Sequence, residues 1–139
     1  MSKNISPFML GATLYMPATR TDLAEVILHG KIPELRSMVI CLEDAVSEEQ
    51  IDIALYNLSE LLDELKHTAS QDSPDSRPLV FIRPRHDQMA RELVENYDLV
   101  GIDGFVVPKF TKSNLPSWWE IISATTLALM PTLETREVY

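Results

Sequence analysis

The chain has one cysteine, Cys41, among 139 residues, so no internal disulfide is available to it. A reducing cytoplasm is the expected compartment. Its 4 glycines form no Gly-rich phosphate loop, and its 3 histidines form no Cys/His metal cluster and no Ser-His-Asp order. No apolar run approaches the ~20 residues that a membrane-spanning helix needs. The first twelve residues carry one lysine and no long apolar core, which makes a poor secretory leader. Basic residues are scarce: 12 Lys and Arg stand against 21 Asp and Glu, for a net charge of −9. Without a basic stripe, nucleic acid is not an expected partner. An anion would have to be held by a few local cations. There is no internal repeat and no low-complexity segment, and the length fits one domain.

What is present is organised around Met38–Val46, MVICLEDAV. This apolar run, rich in β-branched residues, reads as a strand buried on both faces. It stops at Glu43 and Asp44, and Ser47-Glu48-Glu49 then signals a helix start. Other apolar runs follow the same plan. Leu10–Met16 is a first strand, and Leu23–His29 a helix capped by Thr21-Asp22 and stopped by Gly30. Ser47–Lys66 is the longest helix, with Ile51, Ala54, Leu55, Leu58, Leu61, Leu62 and Leu65 recurring on one face. The polar stretch His67–Arg77 reads as a loop. Leu79–Ile82 is the third strand, and Asp87 can cap a helix over Gln88–Tyr97. Ile102–Val107 is the fourth strand, Asn114-Leu115-Pro116 opens a helix around Trp118–Ser123, and Thr125–Met130 is the fifth strand.

Strand and helix alternate as βα units require, which predicts an α/β fold with a parallel sheet of about five βα units. The strand ends read Arg20, then Glu43 and Asp44, then Arg83, then Lys109, then Glu134. Pro17, Pro84, Pro108 and Pro131 sit at four of these ends, where a missing backbone donor stops ladder pairing. Ligands of α/β proteins bind at the carboxyl ends of strands. Charges of both signs there point to a shared anion-binding site.

These strand ends resemble the N-terminal part of the citrate lyase β-subunit/HpcH-HpaI aldolase superfamily. The matching blocks are Pro17-Ala18-Thr19-Arg20, Leu42-Glu43-Asp44-Ala45-Val46, Phe81-Ile82-Arg83-Pro84-Arg85, Val107-Pro108-Lys109 and Leu133-Glu134-Thr135. Within that superfamily the chain looks most similar to the branch of carbon–carbon bond lyases associated with tellurite-resistance and stress operons. The resemblance implies a partial (β/α)8 TIM barrel, with residues 1–139 supplying strands one to five of a lyase. It also implies cleavage of an oxo- or hydroxy-acid, or of its coenzyme A thioester, with Mg²⁺ or another divalent cation. Two departures bear on substrate fit: Ala18 stands where the superfamily has Gly, and Pro84-Arg85 follows the motif arginine.

Carried over residue by residue, the resemblance makes Glu134 the metal ligand and Arg83 the clamp for a substrate carboxylate or enolate oxygen. A planar guanidinium suits a bidentate carboxylate. Arg20 is either a second anion clamp or a partner of Asp44. Glu43 and Asp44 complete the catalytic set by orienting Arg20 and Arg83 or by holding metal-bound waters. Lys109 lines the substrate site. Cys41 is expected to be a buried small hydrophobe and His29 and His67 to be solvated; His86, three residues after Arg83, could touch ligand. One of Trp118 and Trp119 should pack and the other reach an interface. Arg85 takes no role.

A whole barrel needs about 250 residues. The chain alone is therefore not expected to catalyse efficient carbon–carbon cleavage; it is expected to lack a second metal carboxylate and to form a homo-oligomer or be completed by another chain. Two rivals stand beside this reading: a complete doubly wound domain of receiver type, and a non-catalytic binding or interaction module.

Overall fold

Residues 37–41, SMVIC, are buried without exception, as a strand covered on both faces must be. In a computed structural model of the chain they form the second strand of a five-stranded sheet. The structure describes residues 13–28, 35–42, 46–68, 78–108, 112–123 and 125–131. Its elements are β1 (Thr13–Pro17), α1 (Leu23–Leu28), β2 (Ser37–Cys41), α2 (Ile51–Thr68), β3 (Leu79–Arg83), α3 (Asp87–Asn96), β4 (Gly104–Val107), α4 (Leu115–Ile122) and β5 (Ala128–Pro131). A 3-10 turn, Glu48–Gln50, leads into α2.

All four strand pairs are parallel, and the order is β1-β2-β3-β4-β5. A receiver-type doubly wound sheet would place its second strand outside the first. The sequential order rules that rival out, and it is the order of consecutive strands in a barrel. Prolines behave as their chemistry requires. Pro17 and Pro131 are the last residues of β1 and β5, and Pro84 and Pro108 directly follow β3 and β4.

Period-two alternation divides the strands between two faces. Met16, Met38, Ile40, Leu42, Val80, Ile82, Phe105 and Val107 join the helices in one large core. From α2 come Ala54, Leu58, Leu61, Leu62 and Leu65, the stripe expected from the sequence; from α3 come Met89, Ala90 and Leu93. From α4 come Trp118, Ile121 and Ile122, with the Trp118 ring edge-on to Phe105 at 6.5 Å. Trp119, its neighbour, is 62 % exposed. The opposite face carries a separate cluster of Val39, Phe81 and Val106, with Leu79 and Ala128 against it. No described helical residue belongs to that second cluster.

Two details fix the sheet. Gly104 faces the Ala128 backbone so closely that a Cβ would collide with its carbonyl oxygen, so β5 can approach β4 only at a glycine. The turn before β4 places Gly101 at φ 90°, with Ile102 N donating to Leu99 O at 3.0 Å.

Some element ends differ from expectation. Helix α3 is capped by His86, whose Nδ1 accepts from Met89 N at 3.0 Å, and not by Asp87. Asp87 lies in the first turn and accepts from Ser117 Oγ at 2.6 Å. β5 starts at Ala128 because Thr125 is used as a turn residue: its Oγ1 donates to Ile122 O at 2.8 Å and accepts from Leu127 N at 3.1 Å.

Candidate functional site at the carboxyl edge

Arg83 ends β3 on the face opposite the helices, level with Cys41 of β2. Its position follows from alternation: Leu79, Phe81 and Arg83 share a side, and Val80 and Ile82 enter the helix-side core. Only 8 % of the residue is exposed, and it is one of three buried polar or charged residues described, with Ser37 and Asp103. Its carbonyl accepts from Leu42 N at 2.9 Å, extending the β2–β3 ladder past the strand end. A buried guanidinium must be matched by acceptors, which favours a placement next to carboxylates or a bound anion. Cys41 beside it is buried, as expected of a small hydrophobe.

Arg20 follows β1 and is exposed. Its fork is engaged by Asp22, Nε to Oδ1 at 2.8 Å and Nη2 to Oδ2 at 2.8 Å. That hydrogen bond, with the Asp22 charge, raises the guanidinium pKa further above its ordinary value. Acting as an anion clamp would require Arg20 to exchange Asp22 for the ligand. Arg20 also lines a groove of about 220 Å³ with Leu23, Tyr56, Asn57 and Glu60, between α1 and α2. Arg83 is not among the residues of that groove, which opens between helices rather than at the strand ends. The strand-end rule therefore makes Arg83, and not the groove, the candidate anion site.

Glu43, Asp44, Lys109 and Glu134 lie outside the described residues. Among the described residues there is no group of three or more His, Cys, Asp or Glu able to hold a metal ion. The described strand ends offer cations, Arg20 and Arg83, so by themselves they do not fit a divalent metal. The acid that the resemblance assigns to a metal is Glu134, with Glu43 and Asp44 orienting the arginines or holding metal-bound waters.

Three side chains given no site role in the sequence tie neighbouring segments together. Asn57 of α2 donates from Nδ2 to the carbonyls of Ala18 and Arg20, at 3.1 and 3.3 Å, and so holds the turn after β1. Asparagine is a poor helix former, which was the one signal that it had another task. Arg85 donates from Nη1 to Val46 O at 2.8 Å. Asp87 joins α3 to α4 through Ser117, and this hydrogen bond is the main reason its carboxyl pKa falls below the usual range. His86, which follows Arg83 by three residues, spends its Nδ1 on the α3 cap. At the opposite edge, Asp103 accepts from Val80 N at 2.8 Å and locks β3 to the start of β4.

A sequential parallel sheet with described helices packed on one face is the layout of part of a (β/α)8 barrel. A family model described as C-C bond lyase of the TIM-barrel fold matches residues 4–139. The chain belongs to this family. A search of curated proteins found no match. Membership makes carbon–carbon bond cleavage the family-level chemistry, and it agrees with the five parallel strands seen here. No helix among the described residues is long and apolar enough to cross a membrane.

Proposed function

We propose that this carbon–carbon bond lyase-family chain acts on an oxo- or hydroxy-acid, or its coenzyme A thioester, of the kind handled by citrate lyase β-subunit-like aldolases. The observation that carries the reading is the near-complete burial of Arg83 at the carboxyl end of β3. Cleavage of a 3-hydroxyacyl compound moves the proton of its hydroxyl to a base as the C–O bond becomes a carbonyl. The electron pair of the breaking carbon–carbon bond passes to the acyl fragment as an enolate, which then takes a proton on carbon. Arg83 would bind the substrate carboxylate, or the enolate oxygen as its negative charge grows, and its value is greatest in a water-poor site. Glu43 and Asp44 would orient Arg83 and accept the hydroxyl proton. Lys109 would line the acyl side. A divalent cation such as Mg²⁺, when bound near Glu134, would supply further stabilisation of the enolate oxygens. The proposed setting is cytoplasmic, with a homo-oligomer or a complementing chain covering the helix-free face.

The test is single-turnover cleavage, with protein in excess over malyl- and citryl-type thioesters in Mg²⁺, followed by chromatography of the acyl-coenzyme A products. Slow product formation by the wild type, lost in Arg83→Lys, is expected. A folded wild-type protein that forms no product from either class would overturn the substrate assignment. Equal rates in wild type and Arg83→Lys would remove Arg83 from the site.

A further inference from the structure

We propose that Arg85 is a positioning residue that holds the end of the segment after β2, at Val46, against the segment after β3, and so keeps the backbone that carries Arg83 in place for anion binding. This rests on the lyase reading for its consequence, though not for its geometry. The segment leaving β2 is tied to one short stretch at two points. Leu42 N donates to Arg83 O at 2.9 Å, and Val46 O accepts from Arg85 Nη1 at 2.8 Å. Three residues lie between the ties, and Glu43 and Asp44 are two of them. The second tie joins the exits of β2 and β3 at a point that the strand ladder does not reach.

Both partners are themselves fixed. Val46 is 3 % exposed and belongs to the helix-side core. Arg85 is half-buried and leaves a backbone held by the α3 cap: His86 Nδ1 accepts from Met89 N, and Arg85 N faces Met89 Sδ at 3.4 Å. The bond to Val46 uses one N–H directed at one carbonyl. A lysine ammonium supplies such a donor. It does not supply the planar fork that a carboxylate clamp needs. Lysine should therefore rescue position 85 and fail at position 83.

The experiment compares wild type, Arg85→Ala, Arg85→Lys and Arg83→Lys by hydrogen exchange with mass spectrometry and by calorimetric titration with oxalate in Mg²⁺. Arg85→Ala should speed exchange of the amides from residue 42 to 48 by about tenfold or more, with β4 unchanged, because it opens one local unit. Arg85→Lys should stay within about threefold of wild type, since one charge-assisted donor is kept. Oxalate affinity should fall about tenfold in Arg85→Ala and recover in Arg85→Lys, while Arg83→Lys shows no recovery. Should Arg85→Ala fail to fold, Arg85→Met keeps the apolar stem and replaces it. Unchanged exchange in residues 42–48 would overturn the proposal. So would a lysine variant no better than alanine in both readouts, which would make Arg85 a direct anion clamp. If wild type binds no oxalate, the lyase reading falls, and the exchange result alone decides the role of Arg85.

Discussion

On one side of the sheet, Met38, Ile40, Val80, Ile82, Phe105 and Val107 merge with the apolar stripes of the helices into one continuous core. On the other, Val39, Phe81 and Val106 form a cluster with no described helical residue in it, next to the buried polar groups Ser37 and Arg83. The same five strands build both. On the proposed reading, the difference separates the face that holds the fold together from the face that binds the anion. The helix side is large, apolar and redundant. The helix-free side is narrow, and it ends at the carboxyl edge in a guanidinium that is unfavourable to bury without matching acceptors.

The comparison breaks most visibly at its two buried phenylalanines, which sit on adjacent strands and opposite faces. Phe105→Ala removes the ring packed edge-on to Trp118 and should destabilise the protein by about 3–5 kcal/mol in urea unfolding. Phe81→Ala lies in the smaller cluster and should fall at or below the low end of that range, about 3 kcal/mol. The reverse ranking would mean that the helix-free face carries the fold.

Next in size are the devices that set the sheet edges. Gly104→Ala drives a methyl group into the Ala128 carbonyl and should cost about 1–3 kcal/mol, with lost exchange protection in β5. Asp103→Ala leaves the buried amide of Val80 without its carboxylate and should cost about 1–3 kcal/mol by the same unfolding measurement.

The layout of the sheet was legible in the sequence because burial on both faces writes itself as apolar runs, and a proline at four of the five carboxyl ends marks where pairing stops. The α2 stripe from Ala54 to Leu65 was legible for the same reason. Element ends were less so. Thr125 looks like a strand residue but spends its hydroxyl closing α4, and His86 displaced the better-looking cap, Asp87. Arg83 stood out through its motif. Asn57 and Arg85 did not, because their targets, Ala18 and Val46, each lie 39 residues away in sequence. Local pattern carries no information about which distant carbonyl a side chain will meet.

Smaller effects sharpen the picture at the helix starts. His86→Ala removes a cap and should cost about 1 kcal/mol, with His86→Asn restoring most of it. Ser117→Ala removes the chief cause of the lowered Asp87 pKa and should cost about 0.5–1.5 kcal/mol near neutral pH. The sign of its pH dependence follows from that lowering. A carboxyl group with a depressed folded pKa contributes stability that is present above its unfolded value of about 3.9 and is lost as pH falls through the folded value. Wild type and Ser117→Ala should therefore differ from pH 5 to 7 and converge in acid. A gap that widens in acid would assign the bond a different role.

The central claim is that anion recognition belongs to the buried arginine of β3 and not to the exposed, Asp22-bound arginine after β1. Calorimetric titration of oxalate in Mg²⁺ into wild type, Arg83→Lys and Arg20→Lys tests it most directly. Arg83→Lys should lose about 2–5 kcal/mol of binding, because lysine keeps the charge but not the planar bidentate fork of a buried clamp. Arg20→Lys should stay within about threefold of wild type, as expected of an exposed, solvent-screened pair. Strong loss in Arg20→Lys with near-normal binding in Arg83→Lys would contradict the account and move the site to the groove between α1 and α2.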